Sequence, residues 1–227
     1  MVINDTLLSR IVDQITSSKD QSEFYFAAVQ SFEDEATAVN RDEFVSRALN
    51  TASQLNALEP SVKRALVLCS SVLEYASACL GGILAGVTII PCRSLDASQL
   101  ESDFEELSSI VQETNADCIV VSMDAEMLLD VMAQDYSALC DLPKVSLEDD
   151  GTDLTKHFNL SFDENPDDVI FQFVARTSSE TPFAICDIKR EDLDSAVESL
   201  VRESGINTQS RIAVWLNSLG VQVNEVR

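Results

Sequence analysis

Serine or cysteine nucleophiles need a neighbouring base, and the residue type most often used for this is scarce in this chain. His157 is the sole histidine, so a Ser-His-Asp or Cys-His site would have to use it. It lies in Thr-Lys-His-Phe-Asn, which reads as a loop, and no Gly-x-Ser-x-Gly motif occurs in the sequence. We interpret His157 as an ordinary surface histidine.

Runs of carboxylates could bind a cation or act as acid and base. They occupy residues 33–35, 148–150 and 163–168. None has the alternating oxygen ligands and central glycine of an EF-hand loop, so solvated turns are the preferred interpretation. A glycosidase-type acid pair stays open, because spacing in sequence does not give distance in space.

The overall charge restricts the partners. Fifteen Lys+Arg against 39 Asp+Glu give a net charge of −24 over 227 residues. Such a field repels phosphate backbones and anionic lipid heads, so we expect no nucleic-acid and no membrane partner. The acids are scattered along the chain, which favours a solvated, self-repelling surface. The alternative is a dock for a basic partner.

Compartment and redox state follow from three features. No run reaches the roughly 18 apolar residues that span a bilayer. The N-terminus lacks the basic start, apolar middle and cleavage site of a secretory signal. The six cysteines form no Cys-x-x-Cys pair, and several lie in apolar runs. They are interpreted as small buried hydrophobes, neither disulfides nor a zinc site, and we expect a cytoplasmic protein.

Apolar periodicity predicts an alternation of short strands and amphipathic helices. Asp5 is a candidate cap for a first helix, Asn40 for a second and Ser98 for a later one. Continuous apolar strands alternating with helices predict an α/β fold, with a mostly parallel sheet flanked by helices on both faces. We expect one α/β domain over residues 1–227. The predicted strands are 24–29, 65–69, 87–90, 118–121, 145–147, 169–174 and 211–216, and the other predicted helices are 72–84, 126–132 and 190–203.

Two stretches carry a resemblance to a known family. Residues 80–91 read Leu-Gly-Gly-Ile-Leu-Ala-Gly-Val-Thr-Ile-Ile-Pro, and residues 107–121 form a further helix–strand unit. Both resemble the N-terminal subdomain of the adenylate-forming enzymes: acyl-CoA synthetases, fatty acyl-AMP ligases and adenylation domains. The amino-acid sequence of these stretches is most similar to that of the fatty acyl-AMP ligase branch. These glycines serve helix–strand packing and a helix stop, and they carry no chemistry.

In that family, chemistry depends on a loop resembling Tyr-Thr-Ser-Gly-Ser-Thr-Gly-x-Pro-Lys-Gly. Its glycines let backbone N–H groups surround phosphate, and its lysine adds positive charge. Aligning the proline on Pro182 places Glu180 on a glycine and Phe183 on the lysine. Every glycine of the loop is replaced. The degenerate loop that the resemblance implies keeps these possible phosphate contacts: Arg176, Thr177, Ser178, Ser179 and Thr181.

A second family segment is also altered. The residues around Trp215 resemble Trp-Leu-Pro-x-x-His-Asp-x-Gly, but neither the histidine nor the aspartate is present. The chain also stops before the family's later nucleotide-binding motifs and its C-terminal lid domain, which supplies a catalytic lysine. We interpret Phe171, Phe173, Trp215 and Leu216 as sheet core in preference to a ligand site.

Three functions stay open at this stage. The first is a non-catalytic, fatty acyl-AMP ligase-like module that has a structural or protein-interaction role within an acyl-handling assembly of the polyketide or nonribosomal type, with no catalytic residue, cofactor or metal. The second is a divergent acyl-AMP ligase that uses ATP and Mg and needs a missing C-terminal part. In that case Thr177, Ser178, Ser179 and Thr181 contact phosphate, and Arg176 replaces the lysine. The third is an acidic binding module for a basic partner.

Overall fold

The computed structural model describes residues 25–28, 37–147, 165–175 and 184–205. The helix predicted over residues 5–15 and the strand predicted over 211–216 lie outside these ranges. So do His157 and Trp215.

The described chain forms two sheets and six helices. The helices are α1 (Arg41–Ala57), α2 (Val72–Ala85), α3 (Leu100–Thr114), α4 (Met123–Met132), α5 (Ser137–Cys140) and α6 (Arg190–Ser204). The strands are β1 (Tyr25–Ala28), β2 (Thr37–Asn40), β3 (Arg64–Leu68), β4 (Thr88–Pro91), β5 (Cys118–Val121), β6 (Lys144–Ser146), β7 (Val169–Ala175) and β8 (Ala184–Lys189).

The larger sheet has six strands in the order β6-β5-β3-β4-β7-β8. Its neighbours are parallel from β6 to β7, and β8 pairs antiparallel with β7. Strands β1 and β2 form a separate antiparallel pair. The predicted class, an α/β fold with a mostly parallel sheet, is confirmed.

Helices cover both faces of the larger sheet, as alternation along its strands requires. On β3, Leu66 and Leu68 point to one apolar cluster, which also contains Phe104 of α3 and Leu129 of α4. The intervening side chains point to a second cluster on the opposite face, which includes Ala65, Val67, Ala78 of α2, Ile89 and Val120.

Helix starts show where the sequence interpretation was right and where it was wrong. Asn40 caps α1, because its Oδ1 accepts the backbone N–H of Glu43 at 2.8 Å. Ser98 was predicted to cap α3, but its N–H and hydroxyl both donate to Asp96 Oδ1, at 2.8 and 2.7 Å. The side chain of Asp96 thus closes a local turn, and α3 begins after Gln99.

Three elements were not predicted. Strand β2, strand β8 and the four-residue helix α5 are present in the structure. Helix α4 also begins at Met123, three residues before the predicted start at Glu126. The short lengths explain the first and last omissions, since a four-residue element shows no clear period.

A glycine allows close contact between α1 and α2. A Cβ built at Gly81 would lie 2.6 Å from Thr51 Cβ and 2.7 Å from the carbonyl oxygen of Ala48. The two helix backbones therefore approach one another at a distance that any larger residue would prevent. Gly86 ends α2 in the left-handed region, with φ of 70°, as its predicted role as a helix stop requires.

Candidate functional site

The carboxyl edge of the larger sheet is where ligands bind in open α/β folds, in the crevice where neighbouring strands connect in opposite directions. Here that crevice lies between β3 and β5. Strand β3 leads through α2 to β4 on one side, while β5 leads through α4 and α5 to β6 on the other. The residues that follow these two strands are therefore the first candidates for a site.

Two serines meet in this crevice. The backbone N–H of Ser70 donates to Ser122 Oγ at 3.2 Å, and the two hydroxyl oxygens are 3.4 Å apart. Ser70 Oγ also lies 3.4 Å from Glu74 Oε2 and 3.5 Å from Asp124 Oδ2. One hydroxyl hydrogen cannot serve two carboxylates, so two acids face a single weak donor.

The helix starts at this edge are also occupied by acids. Ser71 caps α2, and its N–H donates to Glu74 Oε2 while the N–H of Glu74 donates to Ser71 Oγ, both at 3.2 Å. Asp124 and Glu126 lie in the first turn of α4. A carboxylate at a helix N-terminus takes the favourable position that a bound phosphate would otherwise have. At α2, the Glu74 carboxylate therefore already accepts the backbone N–H of Ser71.

The guanidinium beyond β4 is already paired. Arg93 Nη2 donates to Asp103 Oδ1 at 2.5 Å and to Glu106 Oε2 at 3.0 Å. The Asp103 side chain is only 2% exposed, and its other oxygen accepts the backbone N–H of Asp96 at 2.8 Å. With two carboxylates around one cation, Arg93 holds the segment after β4 against α3 and offers no surplus positive charge.

The loop singled out by sequence follows β7. Residues 176–183 lie outside the described part of the chain, so the placement of Arg176, Thr177, Ser178, Ser179 and Thr181 stays a prediction. The residues on either side are paired: Ala175 lies opposite Ala184 in the antiparallel ladder of β7 and β8. The loop thus joins two hydrogen-bonded strands, and β7 itself is the neighbour of β4.

The aromatic residues of β7 differ from the prediction. Phe171 packs partly against the second apolar cluster, but Phe173, predicted as sheet core, is 45% exposed. The two rings stack with centroids 5.9 Å apart.

Two of the cavities that border the described elements differ in size and in lining. One, between α1 and α2, has a volume of about 20 Å³ and is lined by Asn50, Thr51, Gln54 and Ser77 among others. That is room for about one water, which would satisfy Asn50 Oδ1, a buried atom without a partner. The other is a broad depression of about 760 Å³, whose lining includes three carboxylates: Glu101, Glu105 and Asp135.

Four of the six cysteines are buried as predicted, namely Cys69, Cys79, Cys118 and Cys140, whereas Cys92 is half-buried. Burial raises the pKa of Cys79, of Cys92 and of Cys118 to about 12 each, so these thiols stay protonated at neutral pH. All six cysteines are free, and Cys186 on β8 is exposed. Within the described ranges, no group of three or more His, Cys, Asp or Glu side chains could hold a metal ion.

Sequence interpretation missed the residues that meet at the carboxyl edge. Ser70, Ser122 and Arg93 each follow a predicted apolar strand within three residues, and that position was the available signal.

Among the described helices, none is long and apolar enough to cross a membrane.

The fold is similar to that of the N-terminal part of adenylate-forming enzymes of known structure. The chain superposes on a fatty acyl-adenylate ligase from L. pneumophila, solved with acyl adenylate and pyrophosphate, with a TM-score of 0.67 and 16% identity over 82% of this chain. It superposes on the McyG A-PCP structure, solved with phenylalanyl-adenylate, with a TM-score of 0.71 and 14% identity over 89% of this chain.

A third match is ATP-bound MatB from Rhodopseudomonas palustris, with a TM-score of 0.57 and 16% identity over 84% of this chain. The resemblance inferred from sequence is thereby confirmed at the level of the fold. The chain spans only about a third of these proteins: 31% of the ligase, 36% of McyG and 36% of MatB. No family model and no curated protein matches the sequence.

Proposed function

We propose that this chain is a non-catalytic, fatty acyl-AMP ligase-like domain that acts as a structural or protein-interaction module. It uses neither ATP nor Mg, and its setting is a larger acyl-handling assembly of the polyketide or nonribosomal type. The observation that carries the proposal is the loss of phosphate-binding groups from a scaffold that is otherwise retained.

The loop sequence is the first observation that supports the non-catalytic function. Residues 176–183 contain no glycine, and Glu180 and Phe183 stand where the family has a glycine and a lysine. A carboxylate about 4 Å from a phosphate oxygen costs about 4 kcal/mol at the effective dielectric of a protein surface. Arg176 could offset part of that cost, but it cannot replace the backbone N–H groups that glycine makes available.

The residues around the loop are the second observation that supports the non-catalytic function. Strand β4, the neighbour of β7, leads to Arg93, whose guanidinium is shared between two carboxylates. The adjacent crevice between β3 and β5 presents Glu74 and Asp124. In the described part of the carboxyl edge, no unpaired cation is available to assist a triphosphate.

Acyl-adenylate formation tests the proposal. The purified chain is incubated with ATP, Mg and fatty acids of several lengths, and products are followed by mass spectrometry and by exchange of labelled pyrophosphate into ATP. We expect neither acyl-adenylate nor exchange above a protein-free control. Formation of acyl-adenylate by the chain would overturn the proposal.

The second candidate is a divergent acyl-AMP ligase, and the observation that favours it is the length. The chain spans about a third of the ligases it resembles, so further catalytic parts could lie on another segment. Pyrophosphate exchange by a longer parent protein would support this candidate. The Arg176→Ala variant of that parent should then lose turnover, because Arg176 would be the cation on the phosphates.

A further inference from the structure

Helix α4 carries an apolar stripe on its outer face. Met123, Met127 and Val131 are spaced four residues apart, which places them on one side of a helix, and they are 53%, 63% and 70% exposed. Ala125 and Leu129, on the opposite side, are buried in the core. The helix is thus apolar on two faces, and only the inner one is covered by the described residues.

The composition of this stripe is unusual for the chain. The sequence has four methionines, and three of them lie in α4: Met123, Met127 and Met132. Unbranched thioether side chains adapt their shape to a partner, which is why methionine is enriched on surfaces that bind amphipathic helices. Met132 differs from the other two, since it packs partly against the core.

The rim of the stripe is acidic. Asp124 and Asp130 flank it, with side chains on the same helix, and the Asp130 side chain is 70% exposed. Asp130 is paired with Lys144 Nζ at 3.1 Å. An apolar strip bordered by carboxylates is complementary to a helix with one apolar and one basic face.

We propose that the outer face of α4 is a docking surface for a basic amphipathic helix of a partner protein. This inference rests on the proposed function as an interaction module and names its surface and the chemistry of the partner. A second copy of this chain is disfavoured as the occupant, because each copy carries a charge of −24 and the two acidic rims would face each other.

The first experiment measures whether the stripe is accessible in the isolated chain. Oxidation by dilute peroxide, read by mass spectrometry, should modify Met123 and Met127 faster than Met132. Equal protection of Met127 and Met132 would mean that another part of the chain covers the stripe, which would overturn the proposal.

The second experiment measures binding. The probe is a fluorescent peptide of about 14 leucines and lysines, or about four helical turns, with leucine at helical spacing. A reordered peptide of the same composition has no apolar face. We expect saturable binding of the first peptide at physiological salt and at least about tenfold weaker binding of the second. Equal binding of both would show attraction by net charge alone and would overturn the proposal.

Variants locate the surface. M127S/V131S should weaken binding of the amphipathic peptide at least about tenfold. The matched control is L200S/V201S on α6, whose residues are 60% and 43% exposed, and it should change affinity by less than about twofold. Both variants change exposed positions, so circular dichroism should match the parent. Equal loss in both variants, or loss in neither, would contradict the assignment to α4.

Analytical sedimentation tests whether a second copy of this chain, instead of a partner protein, occupies the stripe. A dimer that M127S/V131S converts to a monomer would assign the stripe to self-association and overturn the proposal. These outcomes are separable from the proposed function: acyl-adenylate formation would refute the non-catalytic function whatever the peptide does, and a peptide that fails to bind leaves that function standing with another surface.

Discussion

Arg93 and Asp103 form a partly buried ion pair that joins the segment after β4 to helix α3. The guanidinium Nη2 lies 2.5 Å from Asp103 Oδ1, and the side chains are 34% and 2% exposed. The same carboxylate accepts the N–H of Asp96 at 2.8 Å. The pair therefore fixes the segment beside the carboxyl edge and removes Arg93 from the groups that could bind a phosphate.

The first prediction concerns the stability that this pair provides. Asp103→Ala should lower the free energy of unfolding by about 2–3 kcal/mol, because it leaves the Asp96 N–H and the half-buried Arg93 guanidinium without their acceptor. Urea denaturation measures the change. Glu106→Ala is the matched control, since it removes the other, 31% exposed acceptor of Arg93, and we expect a loss of at most about 1 kcal/mol. Equal losses would contradict this account of Asp103.

A second prediction concerns the contact between α1 and α2. Gly81→Ala should lower the free energy of unfolding by about 2 kcal/mol, because the new methyl group would overlap Thr51 and the backbone of Ala48. Gly86 provides the contrast. It has no atom within 4 Å of a built Cβ, so Gly86→Ala should cost only the left-handed backbone, about 1 kcal/mol. Thermal or urea unfolding that finds Gly81→Ala as stable as the parent would show that the helices can separate freely.

A third prediction concerns thiol reactivity. At about pH 8, four units below the raised pKa of about 12, the Cys79 and Cys118 thiols are almost wholly protonated, and burial blocks the reagent as well. Cys186 is exposed. Ellman's reagent should therefore label Cys186 rapidly in the native chain, the half-buried Cys92 more slowly, and the four buried thiols only after unfolding. Cys186→Ser should abolish the rapid phase. Several rapid thiols in the native chain would contradict the burial described.

A fourth prediction follows from the degenerate loop. The triple variant T177G/E180G/F183K restores two glycines and the lysine of the family pattern. It should bind ATP measurably more tightly than the parent, because it removes a like charge and adds a cation at the phosphates. Fluorescent ATP analogues measure the change, and F183L, which restores neither glycine nor charge, is the control. Identical weak binding by the triple variant and F183L would mean that the loop is not what prevents ATP binding.

Much of the fold could be predicted from local pattern. Short apolar strands such as β5, helix stops such as Gly86 and caps such as Asn40 are local signals, and the structure confirms them. Ser98 failed as a cap because the carboxylate of Asp96 binds both its N–H and its hydroxyl. Local sequence shows that both residues could cap, but not which bond prevails.

The candidate site was harder to predict because its contacts are distant in sequence. Ser70 meets Ser122 across 52 positions, and nothing near either serine indicates the other. Asp103 lies on a helix beside apolar Phe104 and looks like a solvent-facing acid. It is buried because Arg93 and Asp96 reach it from the preceding segment. The apolar stripe of α4 was missed for a related reason: which of two apolar faces is covered depends on the neighbouring elements.

The central claim is tested most directly by titrating the purified chain with ATP and Mg in a calorimeter. The account predicts heats no larger than those of dilution at all ratios, since an acid replaces a glycine in the loop and Arg93 is already paired. Saturable binding in the micromolar range, lost in Arg176→Ala, would contradict it.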